Sequence, residues 1–256
     1  MFTHRSESRS PNGIRFAKRA LSLAALSLLL LPLPGCQSIT GNPNVSEVRI
    51  IDASPDAPGV DIYQSNSILA YNLGLGTITS YISITPGTYG IVADTAGTRQ
   101  QLVSAQGSFL TGNQYTVLIG NYLNSLQELV LKDQNTPAPS GQIDVRIVDQ
   151  STRAGALDIY LVPTGSTLAS VKAVVTNVTF NVNTGYFTVP AGTYTFVALP
   201  TGTIPTATTT TSYTGPSVPY SGGAARTFVL IDQQLITTPG IQVVTGDDYD
   251  SPGATS

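Results

Sequence analysis

The sequence predicts an all-β protein, two tandem β-sandwich domains after a signal peptide. Three observations predict it. Short runs rich in Val, Ile, Thr and Tyr alternate with Gly- and Pro-bearing turns at intervals of roughly 8 to 12 residues, the spacing of sandwich strands. A whole set of these runs returns later in the chain in the same order. The one long apolar run, residues 20–33, follows a basic stretch near the N-terminus, and no later window carries a helical apolar stripe.

Residues 1–19 hold Arg5, Arg9, Arg15, Lys18 and Arg19 against the single acid Glu7. The apolar run that follows falls short of the roughly 20 residues that a membrane-spanning helix needs, so the segment reads as a secretory signal peptide. It ends in Leu33-Pro34-Gly35-Cys36, which resembles the lipobox of bacterial lipoproteins, with Pro34 an unusual residue in that pattern. The resemblance implies cleavage before Cys36, so that residues 1–35 are the leader. It also implies acyl chains on the Cys36 thiol and the new amino group, enough for stable anchoring. Gln37 rather than Asp comes next. In a host with two membranes, that resembles the lipoproteins forwarded to the outer membrane. The expectation is a lipid-anchored protein of the bacterial cell envelope, held to the membrane through residues 36–46 as a polar tether.

Where the rare residues sit decides which chemistry is open. Met1, His4 and Cys36 are the only Met, His and Cys, so the chain after Cys36 has none of the three. That excludes His-based triads, thiol nucleophiles, Cys/His zinc sites and internal disulfides from the body of the protein. After Cys36, seven basic residues face fourteen acids, a net of −7, which argues against nucleic acid as a partner. No phosphate loop, dinucleotide fingerprint or G-x-S-x-G elbow occurs, and a lysine base would have to be Lys132 or Lys172. The chain therefore reads as a non-enzyme.

The repeat is explicit. Val48-Arg49-Ile50-Ile51-Asp52 returns as Val145-Arg146-Ile147-Val148-Asp149, and Asp61-Ile62-Tyr63 as Asp158-Ile159-Tyr160, both 97 residues on. Tyr81 and Gly87-Thr88-Tyr89 return as Tyr186 and Gly192-Thr193-Tyr194 at an offset of 105, and Val117-Leu118-Ile119 as Val229-Leu230-Ile231 at 112. Copy two therefore carries insertions of eight and then seven residues, which belong in loops. Domain one covers residues 47–133 and domain two 143–245, with a Pro-rich linker at 134–142 and an acidic, flexible tail at 246–256.

Within copy one, residues 47–52 alternate, Val48 and Ile50 facing opposite to Arg49 and Ile51. Residues 80–85 alternate likewise, and 88–93 and 115–119 suit a pleated surface. Residues 126–131 close the set, giving about seven strands per copy. Turns fall at Pro55 to Gly59, Pro86-Gly87, Ala96-Gly97 and Thr111 to Asn113. The pattern suits a sandwich of immunoglobulin or transthyretin type, with a small closed barrel as the alternative, and without the Cys pair and core Trp of antibody domains.

The run Val48 to Tyr63 with its Ala53-Ser54-Pro55-Asp56-Ala57-Pro58 centre, then Tyr81, Pro86 to Tyr89 and Tyr115 to Val117, resembles the DUF4397 domain. Copy two keeps the flanks of the first motif but has Gln150 to Leu157 in place of its centre. The resemblance implies secreted or surface-anchored bacterial β-domains and carries no established activity.

Asp52, Asp56 and Asp61 surround one loop, and carboxylates on loops between strands are what Ca²⁺ takes, which makes them candidate metal ligands. The plainer reading is that Asp52 and Asp61 brace turn backbone, because they recur as Asp149 and Asp158. No other cofactor is expected. Arg49 and Arg146 read as surface strand residues, and the repeated tyrosines as packed rings with hydroxyls at the rim. Residues 201–223 of copy two read as a Thr-rich insertion with an edge strand at 206–213. The expected role is a non-catalytic structural, binding or adhesion module whose partner is an envelope protein or a polysaccharide.

Overall fold

The structure, a computed structural model, describes residues 44–234 and 240–250. The described residues lie within one compact unit, Ser38–Ser256. The leader, Cys36 and the start of the tether lie outside the described residues.

Two halves of eight strands each make up the described chain. The first holds β1 (Ser46–Asp52), β2 (Val60–Gln64), β3 (Ser67–Leu73), β4 (Ile82–Ile84), β5 (Gly87–Thr95), β6 (Gln101–Phe109), β7 (Gln114–Gly120) and β8 (Gln127–Lys132). The second holds β9 (Gln142–Asp149), β10 (Leu157–Pro163), β11 (Val175–Val178), β12 (Asn183–Pro190), β13 (Gly192–Pro200), β14 (Tyr213–Tyr220), β15 (Ala225–Asp232) and β16 (Ile241–Tyr249). The sheets run β4-β1-β7-β8 and β3-β2-β5-β6 in the first half, and β12-β9-β15-β16 and β11-β10-β13-β14 in the second. The two halves thus share one strand order. Each is a pair of separate four-stranded sheets, so neither is a closed barrel. The first strand lies parallel to the seventh in both, β1 on β7 and β9 on β15. An immunoglobulin sandwich instead groups strands A, B, E and D, which leaves the transthyretin type of the two sandwich arrangements.

Alternation explains the cores. Val48, Ile50, Ile62, Ile91 and Val117 point between the sheets of the first half; Val145, Ile147, Ile159, Phe196 and Phe228 do so in the second. The other faces of β1, β7, β9 and β15 are buried as well. Ile51, Ala53 and Leu118 pack against Val148, Val229, Ile231 and Val244 in a third cluster that joins the halves. Sheets covered on both faces read as near-continuous apolar runs.

That double burial corrects the repeat. Arg49 pairs in register with Thr116 and Ile51 with Leu118, while Arg146 pairs with Thr227 and Val148 with Val229. The counterpart of Leu118 is therefore Val229, at an offset of 111, although the letters match best at 112. A one-residue slip moves every side chain to the opposite face, and on strands apolar on both faces the letters cannot detect it.

The first insertion falls in a loop, β10–β11 at residues 164–174, where β2 and β3 are joined by Ser65 and Asn66 alone. Three other expectations change. The edge strand is β14 rather than 206–213, because Pro216 and Pro219 are tolerated at a sheet edge. The threonines before it turn back locally, the Thr206 N–H donating to Thr209 Oγ1 at 2.7 Å. The acidic tail is no flexible end at 246–250: β16 runs to Tyr249, and Asp248 is 4% exposed. The linker also packs down, with Ala138 buried and its N–H donating to the Gly223 carbonyl at 3.0 Å.

Candidate functional site

Arg49 and Arg146 are each 2% exposed, against the expectation of surface residues. Their strands carry them into the joint between the halves, where no water can take their charge. Arg49 Nε donates to Thr116 Oγ1 at 2.8 Å and Arg146 Nε to Thr227 Oγ1 at 3.0 Å. Each guanidinium then crosses to the other half, Arg49 to Asp248 and Arg146 to Asp133. Each carboxylate is held from its own half. The Tyr81 hydroxyl donates to Asp133 at 2.8 Å and Thr116 Oγ1 at 2.7 Å; Tyr186 and Thr227 do the same for Asp248 at 2.8 and 2.7 Å. The Arg49 guanidinium stands 4.9 Å from the Tyr81 ring centroid, and the Arg146 guanidinium 4.7 Å from that of Tyr186. The joint is thus one arrangement used twice about a pseudo-twofold relation.

Burial pulls the Arg49 guanidinium down, but Asp248, Asp133 and Tyr81 outweigh it and hold the cation above its ordinary value. Burial drives the Tyr81 and Tyr186 hydroxyls up, so both remain donors at any physiological pH. A charge-paired network of this kind is structural, and it occupies both arginines and two of the repeated tyrosines, Tyr81 and Tyr186.

The candidate metal ligands are not gathered. Asp52, fully buried at the end of β1, accepts the Ser54 N–H on Oδ1 at 2.9 Å, and its Oδ2 has no partner. Burial pushes its carboxyl up to about 7. Asp56 is exposed and accepts the Leu123 N–H at 2.7 Å. Asp61 accepts the Asn72 N–H at 2.8 Å and the Gly97 N–H at 2.9 Å. Among the described residues no group of three or more His, Cys, Asp or Glu is placed to hold a metal ion. The reason is that each carboxylate braces different backbone: Asp52 its own turn, Asp56 the turn at Leu123, and Asp61 the turns at Asn72 and Gly97. Asn72 and Gly97 have φ of 47° and 71°, and Asp61 pins these left-handed residues. Asp158 does the same for Asn177 and Gly202, at 2.9 and 3.0 Å. Burial opposes it, but those donors and Thr201 hold the Asp158 carboxyl below the usual range.

Tyr89 and Tyr194 behave as packed rings, their hydroxyls donating to the Pro86 and Pro190 carbonyls at 3.2 and 2.8 Å. Tyr63 is different. It lies on the outer face of the β3-β2-β5-β6 sheet, and the Arg99 guanidinium covers it, 3.7 Å from the ring centroid. Asp61, Tyr63, Tyr71, Asn72 and residues 96–99 line an open cleft of about 690 Å³. Tyr71 is 69% exposed at its side. In the second half the corresponding Tyr160 is roofed instead by Leu168, Val171 and Ala173, from the inserted loop. Neither Tyr71 nor Arg99 stood out in the sequence, since a single aromatic and a turn arginine have no pattern. The match of Thr116 to Thr227 is hidden by the one-residue slip, and Asp133 and Asp248 lie 115 residues apart, outside every offset of the repeat, with Asp248 in the stretch that reads as tail.

Residues 46–160 match the family model of DUF4397, a domain of unknown function. The matched stretch covers the first half, β9 and the start of β10, and so includes Arg49, Tyr81, Thr116, Asp133 and Arg146 but not Asp248. No curated protein matches the chain. Among solved structures it is similar to the Bacillus anthracis TIE protein, at 12% identity over 75% of this chain and 34% of that one, with a TM-score of 0.24. The chain thus spans about a third of that protein's length. It is also similar to CBMbc, a family CBM26 module of Eubacterium rectale Amy13K solved with maltoheptaose, at 12% identity over 81% of this chain and 98% of that one, with a TM-score of 0.23. At these scores neither likeness bears on fold or ligand.

Proposed function

We propose that this is a lipid-anchored protein of the bacterial cell envelope that presents two non-catalytic β-sandwiches, the second a diverged copy of the first, as one rigid binding or adhesion body. The observation that carries the reading is the joint. Two buried arginine–aspartate pairs and an apolar cluster weld the halves together, and they take up charged side chains that would otherwise be free for chemistry. Among the described residues a shallow aromatic cleft stays accessible, a surface suited to recognition.

Support for the anchor comes from the lipobox resemblance at Leu33 to Cys36 and from the polar tether that follows. Acyl chains at Cys36 would hold the body at the membrane, in the outer membrane where the host has two. Fractionation of cells expressing the chain tests it. A lipoprotein signal peptidase inhibitor should leave a larger precursor, and Cys36→Ser should release the protein from the membrane fraction; normal processing of that variant would rule the anchor out.

A further inference from the structure

We infer that the cleft at Tyr63, Tyr71 and Arg99 binds an acidic sugar, a hexuronate unit of a polysaccharide. The inference rests on the binding role proposed above and names its ligand.

Arg99 is the starting point. Of the five arginines among the described residues, Arg49, Arg146, Arg153 and Arg226 each pair with a carboxylate. Arg99 has no carboxylate partner among the described residues and stacks on the face of Tyr63. Stacking fixes the plane of the guanidinium and leaves its N–H edge free, the geometry that receives a planar carboxylate through two parallel hydrogen bonds. Asp61 lines the same cleft but forms no ion pair with Arg99; its oxygens face the Asn72 and Gly97 N–H groups. Asp94, beside Asp61 across β2 and β5, is buried and forms no ion pair among the described residues.

Tyr71 supplies the second half of the ligand. Its ring is exposed at the cleft wall. A pyranose has an apolar C–H face to lie on such a ring and a hydroxyl rim to remain in water. A hexuronate joins that face to one carboxylate, and a cleft of this size holds a small ligand of that kind. A single arginine in a sequence whose residues after Cys36 carry a net charge of −7 suits one monoanionic group per sugar. It does not suit a polyphosphate or nucleic acid, which need several cations.

The comparison between the halves adds an independent argument. The same tyrosine position is present in both, and in the second half eight extra residues close it with an apolar roof. The first half leaves its sheet face open and places a cation there.

The test is titration of the full-length chain in detergent with oligogalacturonate and alginate oligomers, with neutral malto-oligosaccharides, and with oligoglutamate. Binding of a uronate oligomer is expected, weakened by salt, and at least about tenfold weaker in Arg99→Gln and in Tyr71→Ala. Both side chains are exposed, and unchanged melting of the variants confirms their folding. Failure of both uronates to bind, equal binding of the neutral sugar or of oligoglutamate, or undiminished binding by both variants would overturn the inference. The Cys36→Ser chain separates the two proposals, because it loses the anchor and retains the cleft.

Discussion

Asp248 and Asp247 are neighbours of the same charge type, and the structure assigns them opposite importance. Replacing Asp248 by Ala removes the carboxylate that Arg49, Tyr186 and Thr227 all reach. Arg49 is then left 2% exposed, with Asp133 at 3.7 Å as its nearest remaining acid, already committed to Arg146. Removing one partner of a buried pair costs about 3–5 kcal/mol, chiefly because the other charge remains desolvated. Asp247 pairs with Arg226 from a side chain that is 67% exposed, and such surface pairs contribute about 0–1 kcal/mol. Urea unfolding of the chain from Gln37 onward reads the difference. With a slope of roughly 2–3 kcal/mol per molar, Asp248→Ala should lower the midpoint by about 1–2 M and Asp247→Ala by less than about 0.5 M. Arg49→Met combined with Asp248→Ala should lose less than the two single changes summed, since no charge is then stranded. Equal midpoints for the two alanine variants would refute the buried joint.

Two further outcomes follow from the same interior. The folded pKa of Asp52, about 7, lies above its ordinary 3.8, so the folded state holds the extra proton between those values. Its contribution to stability is complete below about pH 4 and is lost as pH rises through about 7, by up to roughly 4 kcal/mol. Asp52→Asn, neutral at every pH, should flatten that fall, and denaturation curves at pH 4 and 8 in which variant and parent lose equal stability would contradict the assignment. A Cβ on Gly246 would stand 2.5 Å from Arg49 Nη1; with that guanidinium pinned by Thr116 and Asp248, Gly246→Ala should cost about 1–3 kcal/mol in a thermal melt, and an unchanged Tm would show that the pair can shift.

Much of the fold is legible because its signals are local. A left-handed turn needs a backbone brace, so Asp61 returns as Asp158 with the same pair of N–H donors. A strand that faces a core needs apolar residues at every second place, so Val48 and Ile50 return as Val145 and Ile147. Loops accept insertions, so the drift in offset falls between strands. The joint is different. Alternation marks Arg49 as facing away from Val48, and an isolated half would leave that face to solvent. Whether it meets water depends on a second sheet nearly a hundred residues on.

The amino-acid order alone therefore determined the class, the recurring strand order, the turns and the exclusion of His and Cys chemistry after Cys36. Tertiary structure decided the register of β15, the burial of both arginines, the structural use of an acidic C-terminal stretch and the choice of which sheet face stays open. The physical reason is that strand pattern specifies which residues share a face. What covers that face is settled only when two sheets meet, and burial then decides whether a charge serves as a surface ornament, a structural pair or a free binding group.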